Sequence, residues 1–436
     1  MALFSGGPFG GNSGFNGSRH AQPEIVAVLD VGSSKVVCFI GQLEEGVGVR
    51  ILGAGYHASA GLKAGAVVDM DAAEYTIRHA VAKAEKAAGL AVSSIIVNVS
   101  TRSLKSRHIN VETKFSSAEV ADKDLQRVID TAMAEFSEPE QAILHALPLN
   151  WTLDGERGIR DPRGMFGRNL GVDMHFVTAN VGVLRNLAHC IERCHLRIGG
   201  MIASPYAAGE AVLVEDEFDL GVTLIDMGAG ITTAAVFRDR ALVFVDAIGV
   251  GGKNVTSDIA RGLTTPWEAA ERIKTIYGSA LESPDDDRQV VPCPPMGAQD
   301  ELHEEPLSLL TSIVHSRAEE TFEILRDRFA AAGIGDFAGR RIVLTGGAAQ
   351  LSGATQLAEY IFGKRVRVGH PHGLLGLPEE MVGPDFAVAA GLIKHIFQDK
   401  TEAVTGPPDL SGRRIRQRRY AGGNVMRSLK WFRDNF

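Results

Sequence analysis

Two short turns carry the residue types that bind a polyphosphate. Asp30-Val31-Gly32-Ser33-Ser34-Lys35 and Asp226-Met227-Gly228-Ala229-Gly230-Ile231-Thr232 share one design, an acid closing an apolar run, glycine in the turn and a second apolar run after it. The flanking runs, 25–29 with 36–40 and 222–225 with 233–237, read as β-hairpins. A hairpin tip of this kind offers backbone N–H groups and hydroxyls to an anion, and an Asp at the strand end can hold the hydrated cation that accompanies a polyphosphate. A lone Asp-x-Gly turn is commonplace, but two facing tips would clamp one nucleotide. A third element, Arg341-Ile342-Val343-Leu344-Thr345-Gly346-Gly347-Ala348-Ala349, runs an apolar strand into a Gly-Gly turn. Glycine there removes side chains where a flat base or ribose would approach the backbone.

The elements that must position these turns follow from periodicity. The pattern predicts a third strand over 49–56, a helix over 71–88 closed by Gly89, and a strand over 95–99. This β-β-β-α-β order resumes after residue 220. Between 104 and 183 the pattern departs, with strands over 109–113, 142–153 and 173–180 around a helix over 117–136, and reads as an inserted module. A helix over 182–195 and a strand over 200–203 return the chain, and Ser204-Pro205-Tyr206-Ala207-Ala208-Gly209-Glu210 opens a helix leading across to the second half. There a strand over 242–248 precedes Gly249-Val250-Gly251-Gly252-Lys253-Asn254, which enters a helix, and a further helix within 265–277 carries Glu271 and Lys274. The Pro- and acid-rich stretch 283–306 reads as an extended edge or mobile loop. Helices over 307–331 and 352–362 follow, and Pro384-Asp385-Phe386-Ala387-Val388-Ala389-Ala390-Gly391-Leu392 heads the last one. Its small residues would let it cross the Ala207-Ala208 helix closely as a hinge; two ordinary Ala-rich core helices are the alternative.

Composition bounds the class. At 436 residues, 45% hydrophobic and 22% charged, the chain can bury more than one core, and no run reaches the length of a membrane span. Residues 1–23 read as a disordered Gly/Ser/Asn-rich tail without a targeting core. Four cysteines, at 38, 190, 194 and 293, are too few and scattered for a disulfide framework, which fits a reducing cytoplasm. Cys190 and Cys194 share a helical face beside His189 and His195, a metal arrangement that lacks further ligands at matching spacing.

Charge is asymmetric. The chain carries −8 overall, yet from Ser411 onward eight basic side chains face one acid, so a +7 end sits on a body near −15. An acidic body argues against nucleic acid, and a cationic end points to an anionic surface. The stretch 401–424 is Pro/Gly/Arg-rich and aperiodic, a flexible linker. On a helix, Val425, Leu429, Phe432 and Phe436 fall within about 60° of one another, with Arg427, Lys430 and Asp434 opposite, Trp431 on a flank and Arg433 adding charge. Four large apolar side chains at ~1.5–3 kcal/mol each, with about 1 kcal/mol per basic residue on an anionic leaflet, would give reversible interfacial binding.

Taken in order, the three glycine turns resemble the actin, Hsp70 and sugar-kinase ATPase superfamily. The inserted module, the run Gly252-Lys253-Asn254-Val255-Thr256-Ser257-Asp258-Ile259-Ala260, the turn Leu344-Thr345-Gly346-Gly347-Ala348-Ala349-Gln350 and the terminal amphipathic helix make the chain similar, from residue 25 to its end, to the FtsA family of bacterial cell-division actins. The resemblance implies an α/β, actin-like two-lobed ATPase fold of duplicated ribonuclease H-like domains, with an inserted α+β subdomain and a C-terminal amphipathic helix. Along the chain it implies a tail at 1–23, first-lobe core at 24–103, the insert at 104–183, a return and connecting helix at 184–218, second-lobe core at 219–250, a smaller subdomain at 251–332, second-lobe core again at 333–400, the linker at 401–424 and the membrane helix at 425–436.

By the same resemblance, Gly32, Ser33, Ser34 and Lys35 contact the β- and γ-phosphates of ATP, and Asp30 and Asp226 hold Mg²⁺ through water. Gly228, Gly230 and Thr232 close from the other side, with Gly252 at the helix start. Gly346, Gly347 and Ala348 face the adenosine, and Glu271 and Lys274 lie beside ribose and base. Related ATPases place Glu or Gln just before the connecting proline; Ser204 stands here and lacks the reach, so hydrolysis is expected to be slow or absent. The implied role is an ATP-binding protein that polymerises on the cytoplasmic face of the inner membrane at the septum, tethers FtsZ and recruits later divisome proteins. A pilus-type scaffold or a small-molecule kinase of the same fold is the alternative; a chaperone would need a peptide-binding domain that the residues after the last helix cannot supply.

Overall fold

The computed structural model describes residues 25–397, apart from residue 45 and the stretches 116–118, 298–301 and 336–338, together with 402–403 and 406–411. Two sheets carry the two turns. The first orders its strands Arg197–Ala203, Ser94–Val99, Ile25–Val31, Lys35–Glu44, Gly48–Ala58, Leu374–Leu375. The second orders Ala241–Ile248, Thr232–Arg238, Val222–Met227, Arg341–Thr345, Arg365–Val368. Each contains an antiparallel hairpin, with Asp30 opposite Val37 and Asp226 opposite Thr233. The leading strand of each hairpin then pairs in parallel with a later strand, Ser94–Val99 or Arg341–Thr345. Strands buried on both faces need continuous apolar runs, and Val222–Met227 and Thr232–Arg238 are buried along almost their whole length.

Local chemistry sets the helix ends. The helix Met70–Ala88 starts where the Asp69 carboxylate accepts the N–H groups of Asp71 and Ala72, both at 3.1 Å, and stops at Gly89, whose φ of 70° is left-handed. Its stripe of Ala73, Ile77, Ala80 and Ala84 is fully buried. The helix Leu307–Ala331 has the bounds its periodicity predicts. The helix Ser204–Val212, buried throughout, runs between the two lobes, and Ala387–Phe397 crosses it.

Two expectations need correction, and a third is decided between its alternatives. Residues 333–400 do not all join the second lobe: Leu374 and Leu375 pair in parallel with Val49 and Arg50, and Ala387–Phe397 packs into the first core through Val388, Leu392 and Ile393. A two-residue strand has no period to read, and a helix apolar on most sides does not reveal which sheet it covers. For the stretch 283–306, read as an extended subdomain edge or mobile loop, the extended alternative holds where Val290–Cys293 pairs antiparallel with His303–Pro306. Finally, the linker expected at 401–424 begins docked: the Ala403 N–H donates to the Ala146 carbonyl at 2.8 Å, Arg185 Nε donates to the Leu410 carbonyl at 2.5 Å, and Pro408 is buried. Residues 1–23, 412–424 and the membrane helix expected over 425–436, with Val425, Leu429, Lys430, Trp431, Phe432, Arg433 and Phe436, lie outside the described residues. Among the described residues, no helix is long and apolar enough to cross a membrane.

The inserted module is a four-stranded sheet, ordered Lys105–Lys114, Asn169–Asn180, Gln141–Leu153, Glu156–Ile159, under the helix Asp122–Glu135. It has its own core of Leu125, Val128, Ile129, Met174 and Phe176. The helix starts later than expected, where the Asp124 carboxylate accepts the Ala121 N–H at 3.1 Å.

The module also caps the outer edge of the second sheet. His175 Nδ1 donates to the Leu242 carbonyl at 2.7 Å, His108 Nε2 donates to the Val243 carbonyl at 3.0 Å, and Ser106 Oγ accepts the Val245 N–H at 2.6 Å. A strand edge is thereby satisfied by side chains instead of another strand. Burial, and next the neighbouring His108, hold His175 down at about 3, against the opposing pull of the Leu242 bond and Asp173. The folded ring stays neutral while the unfolded one protonates near 6.5, so stability is present above about pH 6.5 and lost as pH falls toward 3. Urea denaturation should show a loss from this group approaching about 1.4 kcal/mol per pH unit below 6. His175→Asn, which keeps a donor toward Leu242, should flatten that slope; an equal slope in the variant would refute the assignment.

Candidate functional site

The two glycine turns are one structure made twice. The Gly32 N–H donates to the Lys35 carbonyl at 3.1 Å, and the Gly228 N–H donates to the Ile231 carbonyl at 3.0 Å. In both, a Cβ on the glycine would sit 2.8 Å from that same carbonyl oxygen, a clash that any side chain would bring. The tips face each other: a Cβ on Gly230 would lie 2.9 Å from Ser33 Oγ. Between them opens a cavity of about 720 Å³, within the range of small-molecule sites.

Of the residues singled out in the sequence, Asp30, Gly32, Ser33, Ser34, Lys35, Asp226, Gly228, Gly230, Gly252, Glu271, Lys274, Gly346, Gly347 and Ala348 line this cavity. Thr232 does not. Its buried hydroxyl donates to the Val250 carbonyl at 2.8 Å and so fastens the loop that leads into the helix Gly252–Gly262. As the first residue of its strand it alternates away from the cleft, which the turn motif alone could not reveal.

Two carboxyls sit at the floor. Burial pushes Asp30 up to about 7, helped by repulsion from Asp226 and opposed by Lys35; burial pushes Asp226 up to about 6. Two desolvated acids that repel each other form a poor arrangement by themselves and suit a divalent cation, whose charge would keep both ionised. Asn98, missed by the sequence reading, organises this floor. Its Nδ2 donates to Asp30 Oδ1 at 2.7 Å and to Ser204 Oγ at 3.1 Å, while its Oδ1 accepts the Val31 N–H at 2.7 Å. Its place at the end of the strand Ser94–Val99, beside the Asp30 strand, was the available signal.

The roof holds the cations and the third turn. Lys35 Nζ pairs with the Asp385 carboxylate and lies 3.2 Å from the Phe386 ring centroid. Lys274 Nζ reaches Glu271 at 2.7 Å, Thr256 Oγ1 at 2.8 Å and the Gly252 carbonyl at 3.2 Å. Gly346 has φ of 85°, and a Cβ there would meet Asp226 Oδ1 at 2.4 Å, so glycine alone allows this turn to come down on the acid. The Gly346 N–H donates to the Pro384 carbonyl at 3.1 Å, which brings Asp385 into the lining, a second residue the sequence reading had not placed in the site. The arrangement offers backbone donors and hydroxyls at two tips, paired acids below and an open glycine surface to one side. These residues fit a nucleoside polyphosphate with a divalent cation.

A second cluster does not fit a metal. His145, His395 and Glu402 bring ligand atoms within 4.8 Å of one another, away from the cleft. The Ala203 N–H donates to His145 Nε2 at 3.1 Å, so the proton sits on Nδ1 and points at Glu402, 3.1 Å away. That nitrogen has no lone pair to give, and the cluster serves to fasten the start of the C-terminal segment. The Cys190 and Cys194 thiols likewise are packed and protonated, with burial pushing Cys190 up to about 11.

Comparison with known proteins agrees with this geometry. The family model for the cell division protein FtsA matches residues 223–391, and that of the SHS2 domain inserted in FtsA matches residues 101–178. The FtsA of Rhizobium meliloti (strain 1021) is 45% identical over 381 residues, covering 85% of this chain and 86% of that protein. Among solved structures, the PilM-PilN type IV pilus biogenesis complex superposes with a TM-score of 0.61 at 18% identity, covering 86% of this chain and 98% of the other. MreB5 of Spiroplasma citri bound to AMPPNP superposes with a TM-score of 0.51 at 12% identity, covering 87% and 97%. The fold is therefore actin-like, two lobes with an inserted α+β module. At this identity and coverage the chain belongs to the FtsA family of cell division proteins.

Proposed function

We propose that this actin-like cell-division protein binds ATP with Mg²⁺ in the cleft and uses it to control polymerisation on the membrane. The observation that carries this is the pair of glycine tips with matching hydrogen bonds, facing each other above Asp30 and Asp226. The AMPPNP in the MreB5 structure adds support from a protein of the same fold. Asp30 and Asp226 would hold the hydrated cation; Ser33, Ser34 and the backbone of both tips would bind phosphates, joined by Lys35 once it is released from Asp385; Gly346, Gly347 and Ala348 would lie against the adenosine, with Glu271 and Lys274 beside the ribose and base. Ser204, 1% exposed and hydrogen-bonded to Asn98, cannot position an attacking water as a carboxylate would, so ATP acts as a conformational ligand with slow or absent hydrolysis.

Family membership and the +7 end support the remaining roles. The amphipathic segment 425–436 anchors the protein to anionic lipid on the cytoplasmic face of the inner membrane, at the septum. Copies polymerise there, hold FtsZ through the smaller second-lobe subdomain around Asn254 to Leu310, and recruit later divisome proteins. An open groove of about 530 Å³ between the helices Gly252–Gly262 and Leu307–Ala331, with Ile313 among the charged side chains Asp258, Arg261, Arg317 and Glu320, gives that subdomain a mixed apolar and charged surface for a peptide. Sedimentation with anionic liposomes, with and without FtsZ and ATP, tests the reading. The full chain should carry FtsZ into the lipid pellet, whereas a chain lacking 425–436 should bind ATP equally well and leave FtsZ in the supernatant. Equal pelleting of both chains would remove the membrane-anchor role.

A further inference from the structure

Three lysines line the cleft, and their partners differ. Lys35 Nζ is neutralised by Asp385 and Lys274 Nζ by Glu271. Among the described residues, Lys253 has no carboxylate within ion-pair distance; its ammonium donates instead to the Ser33 carbonyl at 2.6 Å. That bond crosses between the lobes. Lys253 belongs to the first turn of the helix Gly252–Gly262, and this helix start is fixed to the second tip: the Gly252 N–H donates to the Gly228 carbonyl at 3.0 Å and the Lys253 N–H to the Ala229 carbonyl at 2.7 Å. The side chain then reaches the first tip. Lys253 thus stands where the two tips meet, at the positive end of a helix, with its charge uncompensated.

We propose that Lys253 makes this cleft prefer a nucleoside triphosphate over a diphosphate, by exchanging the Ser33 carbonyl for the terminal phosphate. The inference rests on the nucleotide reading of the cleft and deepens it. With the nucleoside against Gly346 and Gly347, the phosphates run toward the tips, and a third phosphate adds about one further negative charge there. A neutral carbonyl is a weak partner for an ammonium compared with a phosphate oxygen, so the exchange is favourable. Lys35 and Lys274 would each have to surrender a carboxylate to respond in the same way. Because the Ser33 bond joins the lobes, the same exchange replaces a direct lobe-to-lobe bond with one made through the nucleotide.

The test is a calorimetric titration of the full chain with ATP and with ADP, both with Mg²⁺, for the parent, Lys253→Gln and Lys253→Arg. Lys253→Gln should weaken ATP roughly tenfold and ADP less than about twofold, while Lys253→Arg should keep the triphosphate preference to within about threefold of the parent. Equal weakening of ATP and ADP in Lys253→Gln, or no change in either, overturns the role of Lys253 and leaves nucleotide binding standing. A parent chain that binds neither nucleotide overturns both.

Discussion

Asp226→Asn should severely weaken Mg²⁺-dependent ATP binding and, in the absence of nucleotide, make the protein more stable. Both effects come from one cause. The carboxyl is buried against Gly346 and pushed up to about 6, so the folded chain keeps its proton to a higher pH than the unfolded chain does. A raised acid lowers stability as pH rises from about 4 through 6, with the full penalty above that window. Two units correspond to about 2–3 kcal/mol as an upper bound. Asparagine keeps the shape and removes the charge, so at pH 8 the apo variant should melt a few degrees higher, and at pH 4 the difference should vanish. ATP affinity with Mg²⁺ should fall by about 100-fold or more, because the cation loses half of its floor. Asp30→Asn should behave alike, since Asp30 rises to about 7 and accepts from Asn98. Scanning calorimetry and titration at both pH values decide the matter: a variant destabilised at pH 8, or one binding Mg-ATP like its parent, would contradict the metal-floor assignment.

Gly391→Leu is expected to prevent folding. Ala387–Phe397 crosses Ser204–Val212 so closely that even a Cβ at Gly391 would lie 1.7 Å from the Ala207 carbonyl oxygen. Backbone against backbone leaves no rotamer to move, and the helices would have to separate beneath the site. A loss of about 3–5 kcal/mol, or insoluble protein, is the expected outcome, beyond the usual overpacking cost of ~1–3 kcal/mol. Gly391→Ala should show most of this despite alanine's advantage of roughly 1 kcal/mol in a helix. Gly335→Ala, with open space around it, serves as the control and should change stability by less than about 1 kcal/mol. Normal expression and melting of Gly391→Leu would mean that the two helices do not cross as described.

Much of the cleft could be read from residue order because its parts are local. Asp30 to Lys35 and Asp226 to Ile231 are turns whose hydrogen bonds close within four residues, so type and spacing reveal them. The close crossing of the last helix was legible in the same way, from the small residues at Ala389, Ala390 and Gly391. What escaped was set by pairing between distant segments. Asn98 organises the floor through three bonds spanning 67 or more residues, and Asp385 reaches Lys35 across 350. Leu374–Leu375 joins the first sheet by two residues of pairing. The root of the C-terminal segment looked like linker because proline, glycine and polar residues dominate it. Its docking depends on partners far away in the chain, Ala403 on Ala146, Glu402 on His145 and Leu410 on the Arg185 side chain, which composition does not register. Thr232 shows the opposite error, a residue of the right type in the right motif whose strand register turns it to Val250.

The location of a bound triphosphate tests the shared cleft most directly. A crystal structure of the full chain grown with Mg²⁺ and a non-hydrolysable ATP analogue should show the phosphates between Ser33 and Gly230, and a hydrated cation shared by Asp30 and Asp226. Density for the analogue elsewhere, or an empty cleft at saturating concentration, would contradict it.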